Sequence, residues 1–580
     1  MKKIYLLLCI IWACSPEKKE NPTSDFDFET RYERSNATET ATYQETITYF
    51  EALADTHAEI HMQAIGKTDS GEPLHLVTLN PDGNFDFEDI RKSKRILLIN
   101  NGIHPGESDG IDATMMLYRD IAEGKIKMPE STVICNIPIY NIGGSLNRNS
   151  TSRTNQNGPE SSGFRGNARN YDLNRDFIKS DTRNTTAFAE IFHLVKPDVF
   201  IDNHVSNGAD YQYVLTHLFT QHNKLGGELG NYLHTEMMPD LEAKLQDNSW
   251  DVTPYVNVFN SVPEKGFSQF LDSPRYSTGY TTLWNTLGMM VETHMLKPYK
   301  ERVEGTYEIM KTMIEITETD GERIAELRRQ AFTNQSQSKT YPIQWKLNTT
   351  KSSILQFKGF EAETVTSEVT GAQRLKYNRD KPFTKPVSYQ NYYTPTLEVE
   401  IPEAYIIPQS WWPVIDVLKQ NQIEMTQIEG DTILGVESYR IASYQTRRSA
   451  YEGHYSHYNV EITSSNMEQK FKKGDYLIKT DQPGLRYLLE TLEPQAPDSF
   501  FNWNFFDTIL QQKEGFSPYV WEDKAKELLE DDTQLKNEFE EKKEKDSDFA
   551  NNWYAQLDWL HKQSDNYEKA HLQYPVYRLK

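Results

Sequence analysis

Apolar positions along the chain fall into two alternating patterns. Short unbroken apolar runs at 74–79, 95–100 (RILLIN), 133–140 and 198–201 predict buried strands, while stretches at 113–121 and 186–195, with apolar residues three and four apart, predict helices between them. Strand and helix in alternation predict an α/β layer fold: a mixed, mostly parallel sheet flanked by helices, over residues 38–330 and closing with the charged helical stretch 300–329. After Gln330 the texture changes. The linker NQSQSKTYP (334–342) leads into strict alternation such as TLEVEI (396–401), which predicts a β-rich module over 340–480, although WWPVIDVLK (411–419) has helical spacing. The last region, 481–580, reads as mostly helical, with an aromatic knot SFFNWNFF (499–506) and a charged helix over 521–545 whose Glu and Lys runs form a solvated face.

The amino terminus stands apart from this pattern. MKKIYLLLCIIWAC carries two lysines and an apolar run too short to cross a bilayer, so residues 1–13 read as a secretory leader. Its end resembles a bacterial lipobox with Cys14 as the lipidated residue, which predicts an exported periplasmic or outer-membrane lipoprotein that meets membrane only through its lipid. Residues 14–37, polar and poor in large aliphatics, read as a tether. Once the leader is removed, Cys135 is the single thiol besides Cys14; it lies inside an apolar run and reads as a buried strand residue. The 580 residues carry a formal charge of −23, an acidic balance that argues against nucleic acid as a partner.

Chemistry concentrates where predicted strands end. The run 95–100 leads into Asn101-Gly102-Ile103-His104-Pro105-Gly106-Glu107, placing an imidazole and a carboxylate three residues apart across a glycine turn, as a nitrogen and an oxygen ligand of one cation require. A second predicted strand ends in Asp202-Asn203-His204, a third ligand about a hundred residues on. Two histidines and a glutamate with one open position make the catalytic type of zinc site. The polar cluster Asn170-Tyr171-Asp172-Leu173-Asn174-Arg175 contains an arginine able to grip a carboxylate bidentately, and Glu292 ends an otherwise apolar strand, where burial suits a general base. His294, two after Glu292, reads as a strand-end residue or one behind the ligands, and His217, His222 and His234 lack partners at ligand spacing and read as ordinary surface or core residues. The aromatic knot and Trp411-Trp412 read as packing.

HPGE, YDLNRD, His204 and Glu292, in that order over residues 40–310, resemble the zinc metallocarboxypeptidases of the pancreatic type, in the form of a large exported bacterial member. The resemblance implies one zinc ion per chain on His104, Glu107 and His204, with Glu292 as general base and Asp172 hydrogen-bonded to the first zinc histidine. It implies Asn174 and Arg175 as the holders of a substrate's terminal carboxylate. It calls for a carbonyl-polarising arginine among Arg148, Arg153 and Arg165, with Arg153 favoured, and for a site tyrosine that is Tyr276 or Tyr280, with Tyr280 taken. The implied reaction is hydrolysis of C-terminal peptide bonds by a zinc-activated water, on peptides with a free C-terminus. A zinc amidohydrolase or deacylase acting on cell-wall peptides or acylated amino acids would share every metal ligand, and a non-catalytic surface-anchored binding protein is the reading from a different class.

Overall fold

The computed structural model describes residues 26–580; the expected leader 1–13, the expected lipidation site Cys14 and the first part of the expected tether lie outside the described residues. From Phe26 onward the chain is already packed. Thr30 caps the short helix Arg31–Arg34, and Tyr32 is buried with its ring edge-on to Tyr299 at 5.8 Å. Residues 26–37, expected as tether, therefore belong to the folded body, because the few aromatics of this polar stretch find an apolar surface to cover.

The first half of the chain supplies strands β1 (Ile60–Lys67), β2 (Pro73–Leu79), β3 (Arg95–Asn100), β4 (Thr132–Ile137), β5 (Val199–Ser206), β6 (Leu215–Phe219), β7 (Val252–Pro254), the two-residue β8 (Phe267–Ser268) and β9 (Leu287–His294). All but β8 form one sheet in the order β1-β2-β4-β3-β5-β9-β6-β7. Its centre is parallel: β3 pairs with β4 and β5, and β5 with β9, whereas β1/β2, β2/β4 and β6/β9 are antiparallel. Parallel strands are covered on both faces, which is why these segments read as continuous apolar runs. On one face, Asn203 reaches Met310 in the long helix Tyr299–Ser336, which lies beside the helix Asp109–Ala122. On the other, the Phe200 ring meets Phe188 of the helix Arg183–Val195 edge-on at 6.1 Å. Cys135 in β4 is fully buried, and burial pushes its thiol up to about 12.

The second half returns to this layer repeatedly. β10 (Thr340–Leu347), the long hairpin β11 (Ser353–Thr366) and β12 (Gln373–Gln390), and β13 (Tyr393–Glu400) follow the closing helix, and β12 adds in parallel to β8. β14 (Ala404–Ile407), β15 (Thr426–Gln427), β16 (Thr432–Thr446), β17 (His457–Phe471), β18 (Tyr476–Lys479) and, at the end of the chain, β19 (Gln573–Leu579) make a six-stranded sheet in the order β15-β18-β14-β19-β16-β17. The boundaries expected at 330 and 480 are thus crossed. The closing helix runs on to Ser336, and a strand of the expected helical region completes the sheet of the β-rich one. The charged stretch 521–545 is broken into Pro518–Asp531 and Thr533–Lys545 by Asp532, whose carboxylate accepts the Leu535 N–H at 2.9 Å and starts the second helix. One apolar core runs from Phe50, Leu98 and Phe200 through Trp284 to Tyr405, Leu488, Phe500 and Trp503. Among the described residues no helix is long and apolar enough to cross a membrane.

Candidate metal centre and catalytic cleft

The carboxyl ends of β3, β5 and β9 lie side by side, and the candidate residues emerge there. β3 gives way to a turn in which Gly102 has a φ of +63°, a value that favours glycine, and the chain then presents His104 and Glu107 before the helix Asp109–Ala122 begins. Gly106, between them, has no room for a side chain: a Cβ there would lie 2.9 Å from the Arg153 side chain and 3.0 Å from the Gly163 carbonyl. In β5 the strand continues through Ser206, so His204 stands within it and pairs in parallel register with Glu292 of β9. The ligand atoms of His104, Glu107 and His204 all fall within 4.8 Å of one another, and all three residues are buried.

Each imidazole is held from behind by an aspartate. His104 Nε2 lies 2.9 Å from Asp172 Oδ1, which leaves its Nδ1 buried, without a hydrogen-bond partner, and 3.3 Å from Glu107 Oε1. His204 Nε2 lies 2.9 Å from Asp202 Oδ2, with its Nδ1 3.1 Å from Glu107 Oε2. Asp202 is itself fixed, accepting from Ser277 Oγ at 2.5 Å and Asn100 Nδ2 at 3.0 Å. Against the upward push of burial, the His104 imidazole and the Arg165 and Arg175 guanidiniums keep Asp172 well below the usual carboxylate range. Burial also opposes the charge on Glu107, yet His104, Arg153 and His204 hold it well below its ordinary value. Burial raises Glu292 to about 7, and the nearby Glu107 carboxylate adds to the rise. His204 is lifted well above the usual histidine range, against its burial, by Asp202, Glu107 and Glu292. Two imidazole nitrogens facing a glutamate, with four carboxylates converging on them, form a donor set that suits a divalent zinc.

The site opens into a cleft of about 280 Å³ lined by these residues together with Arg153, Arg165, Asn174, Arg175, Tyr255, Tyr276, Phe270, Phe259, Leu218 and Met290. Asn174 and Arg175 lie in the short turn Leu173–Arg175, which Asp172 caps by accepting the Asn174 N–H at 3.0 Å. The Arg175 guanidinium lies over the Tyr276 ring, 4.5 Å from its centre. Two arginines reach this cluster, one at a candidate ligand and one at the carboxylate behind His104. Arg153 Nη1 is 2.9 Å from Glu107 Oε1, and Arg165 Nη2 is 2.9 Å from Asp172 Oδ2. Arg148 points elsewhere, its fork on the carbonyls of Thr40, Ala41 and Ser161.

Tyr280 is corrected by the structure. It is 1 % exposed, inside the helix Ser277–Thr282, with its hydroxyl donating to Asn421 Oδ1 at 2.7 Å and its ring among Phe177, Phe192 and Tyr487. Tyr276 precedes that helix and faces the cleft; four residues on, the helical turn carries Tyr280 into the core. His294 is buried at the end of β9, stacked on Tyr211 at 4.1 Å with Nε2 3.2 Å from Asp210. His217 pairs with Glu242 at 2.8 Å, and His222 and His234 stack on one another away from the cleft. Asp202, Tyr255 and the apolar lining escaped the reading of the sequence. Asp202 alone had a local signal, since residues two apart on a strand share a face and Asp202 stands two before His204.

These features make a candidate metal centre at the carboxyl edge of an α/β sheet. In sequence, the chain is similar to Carboxypeptidase 2 of Trichophyton rubrum, at 22 % identity over 455 residues that cover 75 % of this chain and 78 % of that protein. The ordered motifs and this relative both resemble zinc carboxypeptidases. No family model matches it. Among solved structures it is similar to a metallo-carboxypeptidase from Burkholderia cenocepacia (14 % identity, 48 % of this chain and 70 % of that one, TM-score 0.36) and to carboxypeptidase A from Helicoverpa armigera (12 % identity, 49 % and 73 %, TM-score 0.36).

Proposed function

We propose that the protein is a zinc-dependent carboxypeptidase that removes the last residue of peptides with a free C-terminus. The observation that carries this reading is the meeting, in one cleft, of the His104–Glu107–His204 triad, the Glu292 carboxylate and the Arg175 fork. When bound, zinc supplies Lewis acidity and lowers the pKa of water in its open position toward ~7. Glu292 takes up the proton of the attacking water and returns it to the leaving amine; a carboxyl group near 7 suits both transfers. Arg153 Nη2 has no hydrogen-bond partner among the described residues, whereas Nε and Nη2 of Arg165 are both bound to Asp172, so Arg153 is the group free to meet the developing oxyanion. Arg175 and Asn174 hold the terminal carboxylate, which restricts cleavage to chain ends. Leu218, Met290, Phe259 and Phe270 make the wall beyond the triad apolar and favour a large apolar terminal residue. Export by the leader 1–13 with lipidation at Cys14 belongs to the same proposal; lipid labelling that persists in Cys14→Ser would remove it.

The test is to incubate the zinc-loaded protein with peptide libraries bearing free or amidated C-termini and to follow mass loss. Single-residue loss from free acids, fastest with Phe, Leu or Met at the end, is the expected outcome. Cleavage of acylated or amidated substrates in its place would establish an amidohydrolase, and zinc uptake without any hydrolysis would establish a binding protein.

A further inference from the structure

We propose that Tyr451, carried by the turn between β16 and β17, positions the Arg175 guanidinium for its carboxylate, so that the C-terminal half of the chain builds part of the substrate site. This rests on the assignment of Arg175 as the carboxylate clamp. The turn is a tight hairpin: Tyr451 and His454 exchange backbone hydrogen bonds at 2.8 and 3.1 Å, and Glu452 and Gly453 between them have φ of +48° and +79°. Two consecutive positive φ values are the signature of a type I′ turn. Gly453 is required on a second count, since a Cβ there would lie 2.6 Å from the Tyr171 hydroxyl.

This turn grips the segment that carries the clamp at three points. The Asp172 N–H donates to Glu452 Oε2 at 2.8 Å, His454 Nε2 lies 2.7 Å from Asp181 Oδ2, and Arg175 Nε donates to the Tyr451 hydroxyl at 2.9 Å. Tyr451 is in turn fixed by its surroundings. Its ring lies nearly parallel to Trp503 of the aromatic knot at 6.3 Å, and Arg275, tied to Asp498 at 2.7 Å, lies over both rings. The Arg175 guanidinium is thereby bounded on every side but one. Tyr276 underlies its plane, Nη1 donates to the Asn174 carbonyl at 2.7 Å, Nε is held by Tyr451, and Nη2 has no hydrogen-bond partner among the described residues. A long flexible side chain so confined loses little further freedom when a carboxylate arrives.

The decisive variant is Tyr451→Phe, which keeps the ring and removes only the acceptor. Kinetics on free-acid and amidated peptides ending in Phe should be paired with calorimetry of 3-phenylpropionate and 3-phenylpropionamide binding to the zinc-loaded full chain. We expect KM for free acids to rise about tenfold with kcat within twofold, the size expected from one hydrogen bond to a charged group felt at one remove. The affinity for phenylpropionate should fall by the same factor and that for the amide should not change. Unchanged KM and carboxylate affinity, or equal losses on acid and amide, would overturn the assignment. So would a wild-type protein that does not prefer the carboxylate. A wild type that binds phenylpropionate through Tyr451 yet cleaves no peptide would sustain this inference and remove the proposed activity instead.

Discussion

Asp202 and His204 stand two apart on β5, so both side chains reach the same face, and the aspartate ends up behind the His204 ring. Its contribution is to set which nitrogen of His204 faces Glu107. Asp202→Ala should leave the fold in place and weaken zinc binding about 10–100-fold in a chelator competition, the usual consequence of removing such a partner. Glu292 differs: it reaches into the cleft without serving as a ligand. Glu292→Gln should lower kcat about 10²–10⁴-fold with zinc content unchanged. Loss of zinc in that variant would show a structural role. Of these residues, His104, Glu107, His204 and Glu292, which meet in one cleft, stood out as candidates because each follows or ends an apolar run, a position that places polar atoms at the open edge of a parallel sheet. Tyr276 and Tyr280 could not be told apart by composition. The distinction depends on where a helix begins, and one turn separates cleft from core.

The helix Asp109–Ala122 shows how an element carries a charge into the core. Asp112 is fully buried on its inner face, accepting from the Tyr299 hydroxyl and from the Ala41 N–H, and burial raises it to about 6. An acid raised in this way keeps its proton in the folded state between about pH 4 and 6, where the unfolded chain has lost it. Its contribution to stability is therefore present at low pH, declines as pH rises through that window, and stays lost above it, by up to about 3 kcal/mol. Denaturant midpoints of wild type and Asp112→Asn at pH 4.5 and 7.5 check this: the variant should lose less stability between the two. The strands themselves were readable from their apolar runs, but the two breaks in the C-terminal helices were not, because Asp532 and Asp546 look like surface charge until each is seen capping the turn that follows.

In the molecule as a whole, the modules expected at 340–480 and 481–580 are built into the catalytic layer. Arg486, 5 % exposed, donates to the carbonyls of Thr282, Lys224 and Leu225 on the far side of the boundary, and Tyr487 stacks on Trp284 at 5.9 Å. A chain ending at 336 would uncover Trp284 and leave β8 without its neighbour β12. Such a fragment should be insoluble or lack cooperative unfolding and near-ultraviolet circular dichroism. A soluble, cooperatively folding, active fragment would show that the halves are independent.

Local pattern was enough to identify the α/β layer, the strand ends and the candidate metal-ligating set, since hydrophobic period and residue chemistry are properties of short segments. The partners that complete the site depended on distance in space. Asp498 meets Arg275 across 223 residues and Tyr451 meets Arg175 across 276, and no periodicity links positions so far apart. Those pairings exist because the aromatic knot and the first half of the chain share one apolar core, and the polar contacts follow from where that burial places the backbone.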